Sequence, residues 1–157
     1  MGAIIEYFQP SERERKMNKS KLDRIMLVDD DEIHSSLCYE LIQKSGIASD
    51  VNIFNDAEEA LEYLENNKLD LDKLPDLIFL DINMPFMDGW DFLDAYEKFS
   101  DEFEKDIILI LLTSSVYKND IERARDYKSV SEYIQTPISI QKLLATRDEY
   151  FPSKKLA

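Results

Sequence analysis

Residues 77–89 read LIFLDINMPFMDG, an apolar run followed by an acidic residue and a loop. Four consecutive apolar residues are typical of a strand that is covered on both faces of a parallel sheet. Asp81 comes directly after this run. In an open parallel sheet, ligands bind beyond the carboxyl ends of the strands. The stretch therefore predicts a buried strand that delivers a carboxylate to the binding edge of a sheet.

Four further short runs with strand character lie on either side of this stretch. Together they predict strands over residues 24–28, 51–54, 77–80, 107–112 and 130–134. The segments between them show helical spacing, with Gly46 as a helix stop and Asp56 and Ser139 as helix caps. The alternation predicts an α/β fold of (βα)5 type. This is a doubly wound, flavodoxin-like sheet of five parallel strands in the order 2-1-3-4-5.

The third helix is predicted from four apolar residues on one face. They are Phe92, Leu93, Tyr96 and Phe99. A weaker fourth helix contains Ile121 and Ala124. The whole pattern assigns residues 23–151 to one domain, residues 1–22 to an N-terminal extension that is flexible or in part non-native, and residues 152–157 to a short tail.

Composition excludes several kinds of partner and location. The 157 residues carry 19 Lys plus Arg and 33 Asp plus Glu, a net charge of −14, which argues against nucleic acid and anionic membranes as partners. The longest apolar run, residues 107–112, is far shorter than the roughly 20 residues of a membrane span. The single cysteine, Cys38, permits no intramolecular disulfide and favours a reducing compartment, the cytoplasm.

Counting residues also excludes several kinds of site. Three glycines cannot form a GxGxxG or GxxxxGK[ST] loop, so dinucleotide and P-loop sites are ruled out. The single histidine, His34, rules out HExxH and other multi-histidine metal sites. Any metal in this chain would therefore depend on oxygen ligands.

Acids and hydroxyls follow the strands that would be central in the sheet. Asp29 and Asp30 follow the first strand, Asp81 the third and Thr113 the fourth. Carboxylates about 4 Å apart repel one another by roughly 4 kcal/mol at an effective dielectric near 20, so such a cluster takes up protons or holds a cation. Oxygen ligands favour a hard divalent ion, Mg²⁺ or Mn²⁺.

Each of these residues also has an ordinary structural explanation. Acids at 29–32 suit the positive end of the first helix, where Asp31 or Glu32 would stabilise the first turn. Asp81 could form an Asx turn, and Thr113 a local hydroxyl hydrogen bond. These explanations do not account for acids and hydroxyls together at the ends of the three central strands.

Four motifs in order resemble the receiver domain of two-component response regulators. They are LVDDDE at 27–32, LDINMPFMDG at 80–89, LLTSS at 111–115 and EYIQTP at 132–137. The resemblance covers residues 24 to about 150, and the 80–89 segment is its most specific part.

The resemblance implies a stand-alone phosphoacceptor domain that is not an enzyme. Asp81 would accept a phosphoryl group from a histidine kinase or a histidine phosphotransfer protein. Mg²⁺ or Mn²⁺ would bind Asp30, Asp81 and the backbone carbonyl of Asn83 directly, and Asp29 would assist through water or by a direct contact. Pro85 and Gly89 would shape the loop so that Asp81 faces the binding crevice.

The resemblance also implies a conformational output. Thr113 would donate its hydroxyl to the transferred phosphoryl group, and Tyr133 would turn from an outward to an inward position. The surface formed by the fourth helix, the fifth strand and the fifth helix would then change and bind an unknown downstream protein.

One position departs from the family pattern. Thr136 stands before Pro137, where the family has a Lys that contacts the phosphoryl group. Without this cation, we expect stronger dependence on Mg²⁺ and weaker coupling between phosphorylation and the surface change. Long spacings before the third and fourth strands, residues 66–76 and 96–106, are interpreted as surface loops.

Three other functions compete with this one. The absent lysine leaves open a pseudo-receiver, a module whose interactions do not depend on phosphorylation. A Mg²⁺-dependent aspartyl phosphatase would want a second Asp where the chain has Asn83, which counts against turnover. A phosphohistidine role for His34 conflicts with the strand pattern, because phosphotransfer domains are helical bundles, and we predict an exposed helix position for His34.

Overall fold

The computed structural model of the chain describes residues 21–153. Five strands form one sheet. They are β1 (Leu22–Val28), β2 (Ala48–Phe54), β3 (Leu77–Leu80), β4 (Ile108–Thr113) and β5 (Val130–Gln135). Every neighbouring pair is parallel, and the order β2-β1-β3-β4-β5 confirms the predicted topology.

Five α-helices alternate with the strands. They are α1 (Glu32–Ser45), α2 (Ala57–Asn66), α3 (Gly89–Tyr96), α4 (Lys118–Ala124) and α5 (Ile140–Tyr150), with a short 3₁₀ turn at Ser100–Glu102. Asp31, Asp56 and Ser139 each accept backbone N–H groups at a helix start, as N-cap residues do. Gly46 ends α1 in the left-handed region with φ 68°. The predicted caps and stop are confirmed.

The sheet has a hydrophobic cluster on each face because successive strand residues point to opposite sides. Met26 and Val28 of β1 belong to the cluster beneath α2, α3 and α4. Ile25 and Leu27 belong to the opposite cluster, beneath α1 and α5. Burial on both faces is why β1, β3 and β4 read as nearly continuous apolar runs.

Several element boundaries differ from the sequence prediction. β2 begins at Ala48 rather than at residue 51, β4 is Ile108–Thr113 rather than 107–112, and β5 ends at Gln135 rather than at residue 134. β1 begins at Leu22 rather than at residue 24, because the Leu22 N–H donates to the Ile47 carbonyl at 2.7 Å. α3 ends at Tyr96, so Phe99 lies beyond the helix. Phe99 is nevertheless buried, where its ring packs on those of Tyr96 and Phe103.

The two long loops meet at the amino ends of the strands, opposite the edge where Asp81 lies. The Lys105 Nζ lies 2.7 Å from the Asp76 Oδ1, and Lys68 pairs with Glu102 at 3.0 Å. The Arg24 guanidinium donates to the Asp72 carbonyl at 2.8 Å. These contacts hold the loops against the sheet and away from its carboxyl edge.

The ends of the chain extend beyond the described residues. Residues 1–20, most of the predicted extension, and residues 154–157 of the predicted tail fall outside them. Among the helices that the structure describes, none combines the length and the apolar character needed to cross a bilayer.

Candidate functional site

Three carboxylates meet at the carboxyl ends of β1 and β3. One oxygen from each of Asp29, Asp30 and Asp81 lies within 4.8 Å of the others. The two strands are hydrogen-bonded neighbours with Val28 paired to Leu80, so the residues that follow them are brought side by side. A set of three carboxylate oxygens suits Mg²⁺ or Mn²⁺. The predicted convergence is confirmed, and the donor set fits the predicted ion.

Asp29 is the buried member of the cluster, with 5% of its surface exposed. Its Oδ1 accepts the Asp31 N–H at 2.9 Å, and its Oδ2 contacts the Nδ1 of His34. The Asn55 side chain donates to the Asp29 backbone carbonyl at 2.7 Å. Asp29 is thus held from the start of α1 and from the end of β2.

Asp81 is half-buried and keeps one face toward solvent. Burial, the largest cause, and the charge of Asp29 together raise its pKa to about 6. The Asn83 N–H, which lies 3.3 Å from the Asp81 Oδ1, and the nearby His34 lower the pKa in part. Burial and the neighbouring Asp29 carboxylate both disfavour the ionised form of Asp81, and a cation at this position would favour it.

The backbone beneath Asp81 is packed against α3 at Gly89. A Cβ atom at Gly89 would lie 2.7 Å from both the Asp81 carbonyl oxygen and the Ile82 Cα. The Gly89 N–H donates to the Ile82 carbonyl at 2.8 Å. Only glycine permits this approach, so Gly89 sets the position of the loop that carries Asp81.

A groove of about 400 Å³ opens beside the cluster, between the loops that follow β2 and β3. Asp30, Asp56 and Glu58 line one part of it, and residues 84–87 line the other. Phe86 is fully exposed there, with a φ of 66°. Asp30 is the member of the cluster that lines this groove.

The hydroxyl residues form a second group at the ends of β4 and β5. Thr113 is fully buried, and its Oγ1 accepts the Ser115 N–H at 3.2 Å. The Tyr133 hydroxyl donates to the Ser115 carbonyl at 2.9 Å. The Ser115 hydroxyl in turn donates to the carboxylate of Asp120 on α4. Thr113 and Tyr133 are thus connected through one loop.

Thr136 lies at the end of β5, next to Thr113 and the other hydroxyl residues. Its N–H donates to the Thr113 carbonyl at 2.9 Å, and its side chain is half-buried. Within residues 21–153, no Lys or Arg forms an ion pair with Asp29, Asp30 or Asp81. No lysine elsewhere in the described residues takes the place of the one that Thr136 replaces.

His34 is the site residue that the sequence prediction missed. The predicted exposed position is wrong, because the ring lies in the first turn of α1, folds back onto Asp29 and is only 28% exposed. Its Nε2 lies 3.8 Å from the Cys38 Sγ, one helical turn further along. The available signal was the Asp31 cap, which starts the helix at Glu32 and brings position 34 close to the end of β1.

Comparison with known proteins finds two relatives that match most of this chain. The DivK polar-differentiation response regulator of Brucella anthropi is 31% identical over 126 residues, which are 80% of this chain and 94% of that protein. The sensor histidine kinase CheAY of Helicobacter pylori is 33% identical over 137 residues, 87% of this chain but 16% of that kinase.

A solved structure and a family model agree with these relatives. A two-component response regulator from Cytophaga hutchinsonii superposes with a TM-score of 0.75 at 25% identity, over 83% of this chain and 97% of that one. The family model of the response regulator receiver domain matches residues 25–147. With its topology and its acidic cluster at the carboxyl edge, the chain belongs to the response regulator receiver domain family.

Proposed function

We propose that Asp81 accepts a phosphoryl group from a phosphohistidine on a histidine kinase or a histidine phosphotransfer protein. The observation that carries this proposal is the convergence of Asp29, Asp30 and Asp81 within 4.8 Å at the open edge of a receiver-domain sheet. Asp81 is the half-buried carboxylate that follows β3, next to Asp30, which lines the adjacent groove.

The transfer is a substitution at phosphorus. One Asp81 oxygen forms a P–O bond while the P–N bond of the phosphohistidine breaks, and the electron pair of that bond stays on the ring nitrogen. When the other ring nitrogen carries a proton, the donor leaves as neutral imidazole. The product is an acyl phosphate, which water hydrolyses back to the carboxylate. Phosphorylation of Asp81 is therefore reversible.

The acidic cluster would hold the divalent ion through Asp29, Asp30, Asp81 and the Asn83 backbone carbonyl. When bound, Mg²⁺ or Mn²⁺ supplies positive charge that offsets the phosphoryl oxygens. The raised pKa of Asp81 supports this assignment, because burial and the Asp29 charge destabilise the ionised carboxylate and a bound cation would stabilise it.

The hydroxyl residues at the ends of β4 and β5 would convert phosphorylation of Asp81 into a signal. Thr113 would donate its hydroxyl to a phosphoryl oxygen, since its Oγ1 already accepts from the Ser115 N–H and keeps its proton available. Tyr133, bonded to the Ser115 carbonyl, would follow that loop. The output would be a changed α4-β5-α5 face that binds a downstream protein in the cytoplasm, without catalytic turnover of a separate substrate.

A pseudo-receiver is the second candidate, and Thr136 is the observation that favours it. A site without the family lysine could bind its partner independently of phosphorylation. A phosphatase has weaker support, because Asn83 offers no carboxyl group to act as a general acid.

Phosphorylation of the purified chain tests the proposal. We expect incubation with acetyl phosphate and Mg²⁺ to add one phosphoryl mass to the wild type and none to Asp81→Asn. The control Asp126→Asn removes an exposed carboxylate outside the cluster and should be modified like the wild type. Unmodified wild type with unchanged partner binding would favour the pseudo-receiver, and an adduct that survives Asp81→Asn would refute the assignment of the acceptor.

A further inference from the structure

The contact between His34 and Asp29 has no part in the phosphoacceptor chemistry described above. The His34 Nδ1 lies against the Asp29 Oδ2, while the Asp31 N–H donates to the Oδ1 at 2.9 Å. Both oxygens of this buried carboxylate are therefore engaged before any cation arrives.

The two partners of Asp29 differ in how easily they can leave. The Asp31 N–H belongs to the backbone at the cap of α1, and its movement would disturb the start of that helix. The His34 ring is a side chain with 28% of its surface exposed, so it can rotate toward solvent without a change in the backbone. A third ligand of Asp29 would displace the histidine first.

We propose that His34 is a positioning residue that competes with the divalent cation for the Asp29 carboxylate. In the metal-free protein, the imidazole holds Asp29 in place within the acidic cluster. Cation binding releases the ring, and His34 thereby lowers the affinity of the site for Mg²⁺. The inference rests on the proposed function, in that it assigns Asp29 to the metal site.

The surroundings of the ring support this role. The Cys38 Sγ lies 3.8 Å from the Nε2 and is buried, so the ring is held between a carboxylate and a thiol. Burial raises the pKa of Cys38 to about 11, so this neighbour stays neutral. Among Lys, Arg and His side chains of residues 21–153, His34 is the one paired with the cluster.

The chain offers a direct probe, because His34 is its single histidine. The ring signals in a proton spectrum of untagged protein therefore need no assignment. We expect Mg²⁺ at saturating concentration to move these signals to those of a solvent-exposed histidine. Mg²⁺ affinity, measured by calorimetry at constant pH, should rise about tenfold in His34→Leu, the effect expected for loss of one competing hydrogen bond.

Two further variants separate this role from a general effect on the fold. His34→Gln retains a side-chain donor and should give an affinity between those of the wild type and His34→Leu. Leu37→Gln changes an exposed position of the same helix and should leave both the affinity and the ring signals unchanged. Thermal unfolding of each variant shows whether the fold is intact.

Specific results would overturn the inference. Ring signals that stay unmoved at saturating Mg²⁺ would show that the ion does not displace the ring. An equal or weaker affinity in folded His34→Leu would show that the histidine does not compete. Either result, with Asp81 still phosphorylated in the wild type, would refute the competition and leave the proposed function standing. A wild type that takes no phosphoryl group would refute the proposed function instead.

Discussion

Asp76 and Asp81 flank the two ends of β3, and their surroundings differ. At the amino end, Asp76 pairs with Lys105 at 2.7 Å and accepts the N–H groups of Asp23 and Arg24 at 2.7 and 3.3 Å. At the carboxyl end, Asp81 lies beside two more carboxylates and no Lys or Arg of residues 21–153 is paired with it. The carboxylate at the amino end is therefore ion-paired, whereas the carboxylates at the carboxyl end have no Lys or Arg partner among these residues.

The difference also shows how a carboxylate can be held in place without a Lys or Arg partner. The backbone of the Asp81 loop is fixed by Gly89, which packs on the Asp81 carbonyl, and by the Asp81 N–H, which donates to Val28 at 2.9 Å. Neither contact brings a positive charge. Backbone hydrogen bonds hold both residues, since the Asp76 N–H donates to the Arg24 carbonyl at 2.9 Å, but of the two side chains it is that of Asp76 that is also paired with a lysine.

The largest expected effect comes from removing the paired acid. Asp76→Ala leaves the Lys105 ammonium and two backbone N–H groups without this acceptor, and should lower the free energy of unfolding by about 3 kcal/mol. Urea denaturation measures the change. Asp72→Ala, an exposed acid in the same loop, should stay within about 0.5 kcal/mol of the wild type. Equal losses in both variants would contradict the special role of Asp76.

The next prediction tests the backbone contacts of Gly89 at the carboxyl end of β3. Gly89→Ala places a Cβ 2.7 Å from the Asp81 carbonyl oxygen and should cost about 2 kcal/mol, because backbone has to move. It should also slow phosphorylation, since Asp81 is displaced. Gly46→Ala has open space but a φ of 68°, so it should cost about 1 kcal/mol and leave phosphorylation unchanged. Normal phosphorylation in Gly89→Ala would show that the loop position is not set there.

Removing the acid at the carboxyl end should have the opposite sign. Asp81→Asn should raise the free energy of unfolding of the metal-free protein by about 1–2 kcal/mol at pH 7.5, allowing for solvent screening of a half-exposed group. Urea denaturation in the presence of a chelator measures this gain. Asp126→Asn serves as the exposed control. A loss of stability in Asp81→Asn would contradict the inference that the ionised Asp81 carboxylate destabilises the metal-free protein.

The sign of the pH dependence follows from the raised pKa of Asp81, about 6 against an ordinary 3.8. Between these values the native state binds the proton more tightly than the unfolded chain does. The contribution of Asp81 to stability therefore falls as pH rises from about 4 to about 6, and stays constant above that. The gain from Asp81→Asn should accordingly disappear at about pH 4, which the same denaturation series can measure.

The smallest expected effect restores a cation at the carboxyl end. Thr136→Lys should raise the free energy of unfolding of the metal-free protein by about 0.5–1 kcal/mol, because the ammonium can approach the acidic cluster. It should also reduce the dependence of phosphorylation on Mg²⁺ and enlarge the phosphorylation-induced change at Tyr133. Thr136→Val, which keeps the size without the charge, is the matched control. Unchanged Mg²⁺ affinity and an unchanged switch in Thr136→Lys would refute the role given to this position.

Most of the strand and cap predictions hold because they depend on local chemistry. Strands covered on both faces must be apolar, and Asp31, Asp56 and Ser139 cap helices through hydrogen bonds a few residues away. The acidic cluster was predictable for the same reason, since parallel order brings the ends of β1 and β3 together. The prediction for Phe99 is wrong because its position three residues after Tyr96 fits helical spacing. Its burial comes instead from packing against the rings of Tyr96 and Phe103.

The sequence by itself determined the order of the sheet, the acids at its carboxyl edge and the Thr136 departure, because strand patterns and motif spacings are written along the chain. Only the tertiary structure decided which charges are balanced. His34 meets Asp29 because α1 starts at its cap and turns the ring back over β1, and Lys105 meets Asp76 because two distant loops pack together. Charge balance depends on distances through space, which the start of α1 sets for His34 and Asp29 and the packing of two loops sets for Lys105 and Asp76.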